Sequence, residues 1–248
     1  MGIVTAGKDL KAVRESARIV RKVLSELALF IEPGVTTAEI DALGRRIIEG
    51  EGAVPSFLDY NGYPSAVCVS INREVVHGIP SAARKVTEGD IVGIDVGAFK
   101  NGYHGDAADT VMVGEVSPEA RKLVEITYEA RDLGIKAAVA GNCVGDIGHA
   151  VQTHVEANGY SVVHQLVGHG IGRKLHESPQ VPNYGTRGKG SKLRNGLLLA
   201  IEPMVNQGVA EVRFLPDGWT VVTADGKLSA HAEHTIMVNG NEPEILTA

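Results

Sequence analysis

The stretch "GIDVGAFKNGYHGDAADT", residues 93–110, decides how this chain is read. Its flanks, Ile91 to Val96 and Thr110 to Val113, are rich in Val and Ile, as in a strand lying against a core. Asn101-Gly102 is a favoured pair for a two-residue turn, so the stretch predicts a β-hairpin. With the turn there, Asp95 stands opposite residue 108 and Asp106 opposite residue 97. A turn at Lys100-Asn101 would instead pair Asp95 with Asp106 directly. In both registers the two carboxylates share a face, because strand side chains alternate with period two. Their Cβ atoms then lie roughly 5–8 Å apart. Gly93 and Gly97 share that face and leave room beside the acids, whereas Val92, Ile94 and Val96 take the other. Like charges so placed repel. One is protonated, a cation lies between them, or both are strand-end residues facing water. Asp109 falls on the face opposite Asp106 and reads as a surface or turn-linked carboxylate.

Outward from the hairpin, the chain shows an order that occurs twice. Leu10, Val13, Ala17, Val20, Leu24 and Leu27 recur at helical spacing over residues 8–30. "EPGVTTAEIDALGRRIIEGEG" predicts a second helix, capped by Thr36 or Thr37 and ended at Gly50 or Gly52. The strand "AVCVSI" (66–71) and the hairpin follow. Beyond the hairpin, Ser117 and Pro118 open another helix. A shorter helix lies in "GNCVGDIGHAVQTHVEANGY" (141–160), followed by a predicted strand over "SVVHQLVG" (161–168). A shift of 107 residues matches Gly34 with Gly141, Ile40 with Ile147, Glu49 with Glu156 and Gly52 with Gly159. We therefore expect an α+β fold of two similar α/β halves, about 8–113 and 117–238, in one domain spanning residues 1–248. Neither GxGxxG after a strand nor GxxxxGK[ST] is present, which argues against a nucleotide-binding fold.

The 248 residues, 44% of them hydrophobic, suffice for a substantial core. A net charge of −6 argues against a general nucleic-acid binder. The basic run "TRGKGSKLRNG" (186–196) reads as a solvated loop. No apolar run approaches the ~20 residues of a membrane span, and "MGIVTAGKDL" lacks the long apolar stretch of a signal peptide. Cys68 and Cys143 form no CxxC pattern, so we expect no disulfide framework and a cytoplasmic location.

Three further segments each place one metal-ligating residue in an apolar or glycine-rich setting. They are His169 in "VGHGIGRKLHESPQ", Glu202 in "LLLAIEPMV" and Glu233 in "LSAHAEHTIMV". With the two aspartates they make an oxygen-rich donor set. Four carboxylates can neutralise two divalent ions, and Mn²⁺, Fe²⁺, Co²⁺ and Zn²⁺ all tolerate such ligands. Two such ions roughly 3.5–4 Å apart can share a water and lower its pKa.

Five ordered stretches carry a resemblance: "YNGYPSAVCVSINREVVHGIP", "GIDVGAFKNGYHGDAADT", "GHGIGRKLHESPQVPNY", "LLLAIEPM" and "DGWTVVTADGKLSAHAEHTIMV". Over nearly its whole length the chain resembles the type I methionine aminopeptidases, of the pita-bread fold. That fold has two pseudo-symmetric α/β halves around a curved antiparallel sheet. The resemblance implies a hydrolase that removes an N-terminal methionine when the second residue is small. It implies Asp95, Asp106, His169, Glu202 and Glu233 as ligands of two divalent ions. Asp106 and Glu233 would bridge them, Asp95 would hold one, and His169 and Glu202 the other. It further implies that Glu202 relays the attacking water's proton. His176 would stabilise the oxyanion, and His77 would contact the scissile amide or steer the peptide.

Tyr60, Tyr63, Cys68 and Trp219 match positions of the methionine pocket. Phe57, Leu166 and Leu175 depart from the residues expected in bacterial members, which bears on pocket shape and leaves the metal ligands unchanged. Asn72 and Ser229 match a monovalent site for Na⁺ or K⁺. The short form implies a bacterial, monomeric type I enzyme. It would act on nascent chains and peptides with N-terminal Met, in the setting of the ribosome, without specific nucleic-acid or membrane binding. By the same logic the chain's own Met1-Gly2 start is a removable methionine.

Overall fold

The computed structural model describes residues 3–4 and 7–248, so Met1-Gly2 lies outside the described residues. The first half of the chain runs α1 (Gly7–Phe30), α2 (Thr37–Gly50), β1 (Val54–Pro55), β2 (Val67–Ile71), β3 (Glu74–Val76), β4 (Ile91–Lys100) and β5 (Tyr103–Met112). The second begins with α3 (Pro118–Ala137), α4 (Val144–Ala157), β6 (Ser161–Val162), β7 (Gly168–Gly170) and β8 (Glu177–Val181). It continues with β9 (Leu198–Ile201), β10 (Met204–Asn206), β11 (Val212–Phe214), β12 (Val221–Thr223), β13 (Ser229–His231), β14 (His234–Met237) and β15 (Glu244–Ile245). All the strand pairings described are antiparallel.

The β4–β5 hairpin turns at Asn101-Gly102, where both residues have positive φ, 52° and 86°. Its register sets Asp95 opposite Ala108 and Gly97 opposite Asp106. Both carboxylates therefore leave the same face, and Cys68 of β2 stands opposite Asp95 on the neighbouring strand. The other face carries Val92, Ile94 and Val96 into a core shared with Val20, Val23, Leu24 and Leu27 of α1 and Ile40 and Ile48 of α2. Burying a side chain such as Leu24 stabilises the fold by about 1.5–3 kcal/mol. α1 also lies close against β5 at Gly105, where an added Cβ would stand only 2.8 Å from the Ala17 nitrogen.

The second helical pair repeats the first in detail. Both ends of α4 stand 107 positions after those of α2. Thr36 caps α2 in a reciprocal pair with Glu39, and the Cys143 N–H likewise donates to Asp146 at the start of α4. Gly34 and Gly141 precede the two helices at φ 101° and 97°, a conformation open to glycine at little cost. Short bridges tie Thr36 to Lys85 and Cys143 to Lys192, again 107 positions apart. Ser117 caps α3, with Pro118 in its first turn.

The strand predicted over 161–168 is shorter than expected. Only Ser161–Val162 and Gly168–Gly170 are strand. The Val163 N–H still reaches the Met204 carbonyl, but the chain then leaves the ladder, and the His164 ring stacks on Tyr184 at 4.4 Å. Asp109 also differs from expectation. Its carboxylate pairs with Arg21 at 2.9 Å, accepts from the Tyr128 hydroxyl at 3.2 Å and is largely buried. Among the described residues, no helix is long and apolar enough to cross a membrane.

Candidate metal centre

β14 brings the second half of the chain onto the aspartate face. The Glu233 N–H donates to the Ala108 carbonyl at 2.8 Å, which sets Glu233 beside β5. Thr235 Oγ1 accepts from the Asp106 N–H at 3.1 Å and donates to the Asp106 carbonyl at 2.7 Å. β9 pairs with both β14 and β7, placing His169 opposite Ala200 and carrying Glu202 just beyond the strand end. Asn183 holds the Glu202 carbonyl at 3.1 Å. Asp95, Asp106, His169, Glu202 and Glu233 thus line one cavity of about 400 Å³.

These side chains satisfy one another only in part. Asp95 Oδ1, Asp106 Oδ1 and Glu233 Oε1 are buried without a hydrogen-bond partner. Burial raises the carboxyl pKa of all four acids; neighbouring carboxylate charges raise those of Asp106, Glu202 and Glu233 further. The Gly170 carbonyl can only accept, so His169 must donate to it from Nδ1, across 2.9 Å. In the neutral ring Nε2 is then a bare lone pair, and burial pulls the ring's pKa down to about 3. That lone pair faces Glu202 Oε1 at 3.5 Å and Asp106 Oδ2 at 3.8 Å. Lone pairs converging on carboxylate oxygens call for a cation. Donor atoms of Asp106, His169 and Glu233 lie within 4.8 Å of one another, close enough to hold one ion. The residues present therefore fit a divalent metal, by donor type and by their unmet bonds.

The candidate histidines and methionine-pocket residues lie around the same cavity. Tyr60 Oη is 2.7 Å from His176 Nδ1, and the His176 ring stands 4.1 Å from that of His169. This leaves His176 Nε2 as the ring's free nitrogen. His77 adopts φ 58°, in the left-handed region that costs a non-glycine residue energy. Burial, then the neighbouring His176, lowers its pKa to about 4. Trp219 meets Tyr63 edge-on at 5.2 Å and His77 at 6.3 Å. The Tyr63 hydroxyl donates to the Gly78 carbonyl at 3.0 Å. Cys68 is a buried free thiol whose pKa burial raises, with the Asp95 charge adding to the shift.

Phe57 and Leu175 line the cavity, whereas Leu166 packs apart from it against Val75, Val163 and Met204. Asn72 and Ser229 lie outside the cavity, joined by the Ser229 N–H and the Asn72 carbonyl at 2.9 Å. Their side chains bond Asp90 and Asn206 respectively, each at 2.8 Å. The sequence reading does not single out Asn61, which lines the cavity, or His231, which approaches Glu202. Period-two alternation from Glu233 back to His231 is the signal that marks the latter.

Residues 11–240 match the model of metallopeptidase family M24. A methionine aminopeptidase of Clostridium acetobutylicum is 49% identical over 247 residues, covering 100% of this chain and 99% of that protein. The crystal structure of a methionine aminopeptidase from Thermotoga maritima superposes with a TM-score of 0.96 at 44% identity, covering 99% of each chain. A Xaa-Pro dipeptidase from Bacillus anthracis shares the fold alone, at 23% identity and a TM-score of 0.79, with 62% of its length covered. The chain belongs to metallopeptidase family M24, and within it groups with the methionine aminopeptidases.

Proposed function

We infer that this chain is a metal-dependent aminopeptidase that removes the N-terminal methionine from peptides and nascent proteins with a small second residue. The observation that carries the chemistry is the His169 Nε2 lone pair facing two carboxylates, beside three buried and unpartnered carboxylate oxygens. Its specificity rests on the likeness to methionine aminopeptidases and on a cavity walled by Phe57, Tyr60, Tyr63, Cys68, Leu175 and Trp219. Aromatic rings and sulfur suit a flexible thioether.

Asp95, Asp106, His169, Glu202 and Glu233 would hold two divalent ions, with Asp106 and Glu233 shared between them. Cobalt, manganese, iron and zinc all suit these donors. Bound there, the ions supply Lewis acidity, lowering the pKa of water and polarising the substrate carbonyl. Glu202 takes the proton that the attacking water releases and passes it to the leaving amine. His176, oriented by Tyr60 through Nδ1, donates from Nε2 to the oxygen that gains charge. His77 hydrogen-bonds the scissile amide or steers the peptide chain past Trp219. The carboxylate cluster takes the free α-amine, which restricts cleavage to the first peptide bond. Asn72 and Ser229 remain the expected place for a monovalent ion, supported by their adjacency. A monomer acting on nascent chains in the cytoplasm completes the reading.

Hydrolysis of three peptides tests the specificity: Met-Ala-Ser, Met-Trp-Ser and Ala-Pro-Ala, each with Co²⁺ or Mn²⁺. Release of methionine from the first, with little cleavage of the other two, is expected. Preferred cleavage of Ala-Pro-Ala would replace the methionine reading with a proline-directed one.

A further inference from the structure

We infer that His231 is a positioning residue that fixes the orientation of the Glu202 carboxylate. This rests on the reading of Glu202 as the proton carrier given above. His231 is only 4% exposed, and its Nε2 is buried with no hydrogen-bond partner. A buried polar atom left in that state costs its full desolvation, so such atoms mark a contact completed by something else. The group it faces is Glu202, whose Oε2 lies 3.8 Å from His231 Nε2. The other oxygen of the same carboxylate, Oε1, lies 3.5 Å from His169 Nε2. Glu202 thus stands between two imidazoles, one facing each oxygen.

The two imidazoles offer different chemistry. His169 spends its proton on the Gly170 carbonyl and presents a lone pair. His231 has no such demand on its Nε2 side, so its ring can present an N–H there. The strand geometry holds it in place: in the β10–β13 pair His231 stands opposite Met204, two residues beyond Glu202. A small rotation of the carboxylate closes the 3.8 Å separation to hydrogen-bond range. An Nε2–H donated to Oε2 then leaves Oε1 turned towards His169 and the cation position. Glu202 would be aligned before substrate arrives, with one oxygen committed and the other free to receive a proton.

Two substitutions and one spectroscopic measurement test this in the metal-loaded protein. His231→Gln keeps an N–H donor at comparable reach, whereas His231→Leu keeps only bulk. For methionine release from Met-Ala-Ser, His231→Leu is expected to lower kcat about 10–100-fold, with KM changed less than about threefold. His231→Gln is expected to recover kcat to within about fivefold of the unsubstituted enzyme. Independently of turnover, nitrogen NMR of the ¹⁵N-histidine-labelled, Zn²⁺-loaded protein reads the tautomer of His231, assigned by the signal lost in His231→Gln. The expected result is a proton on Nε2. A proton on Nδ1 with a bare or metal-shifted Nε2 would overturn the inference. So would His231→Leu with unchanged kcat, or His231→Gln as slow as His231→Leu. If the unsubstituted protein released no methionine with any cation, the functional reading would fall, and the tautomer would still decide the Glu202 contact.

Discussion

Thr235 holds Asp106 by both of its backbone groups, accepting its N–H at 3.1 Å and donating to its carbonyl at 2.7 Å. The contact crosses from β14 to β5, so one hydroxyl ties the two halves of the chain together at the candidate centre. Thr247 extends it, because the Thr235 N–H donates to Thr247 Oγ1 at 3.1 Å. Thr235→Val keeps the shape and removes both bonds to Asp106. We expect a loss of about 1–3 kcal/mol of stability, since the freed backbone groups stay buried. Metal affinity should fall with it, because Asp106 loses its anchor. Denaturant unfolding and calorimetric metal titration check the two effects.

Tyr60→Phe removes the hydroxyl that lies 2.7 Å from His176 Nδ1. His176 then loses the hydroxyl that engages Nδ1, orients the ring and leaves Nε2 for the substrate. We expect kcat for methionine release to fall roughly tenfold while metal affinity stays unchanged. An unchanged kcat would mean that Tyr60 serves the pocket wall alone.

Gly105→Ala tests the packing of α1 on the hairpin. The added Cβ would meet the Ala17 nitrogen at 2.8 Å and the Ser16 carbonyl carbon at 2.9 Å, both of them backbone atoms that cannot swing aside. A destabilisation of about 1–3 kcal/mol is expected in denaturant unfolding.

Without metal, the centre should make stability depend on pH. Burial raises the pKa values of Asp95, Asp106, Glu202 and Glu233, so the folded chain binds more protons than the unfolded one. Their contribution is fully present below the ordinary carboxylate pKa, and it is lost as pH rises through the raised values. In chelator, the melting temperature should therefore fall between about pH 5 and about pH 8. Divalent metal should raise it more at the higher pH, where the carboxylates bind as anions. A chelated protein with a flat profile would show that the four acids do not share a buried site.

The local parts of the fold were legible because short-range chemistry sets them. Asn101-Gly102 dictates the hairpin register, Thr36 and Ser117 cap their helices, and the 107-residue repeat shows the paired halves. The shared face of Asp95 and Asp106 follows from period-two alternation alone. What local pattern could not supply is which distant segments converge. His169, Glu202 and Glu233 reach the aspartates through pairings among β7, β9 and β14, which depend on tertiary contacts. Their apolar and glycine-rich settings marked them as candidate ligands one by one; the resemblance to a known family joined them with the aspartates into one centre and added roles for His77, His176 and the pocket residues. The early end of the predicted strand at 161–168 and the burial of Asp109 have the same origin. His164 finds Tyr184, and Asp109 finds Arg21, only in the folded chain.

The most direct test of the central claim is methionine release from Met-Ala-Ser by metal-stripped protein titrated with Co²⁺ or Mn²⁺, alongside Asp106→Asn. The account predicts no release without cation, restored release with it, and loss of both metal binding and turnover in a folded Asp106→Asn protein. Undiminished release by the stripped protein in chelator, or full metal-dependent activity in Asp106→Asn, would contradict it.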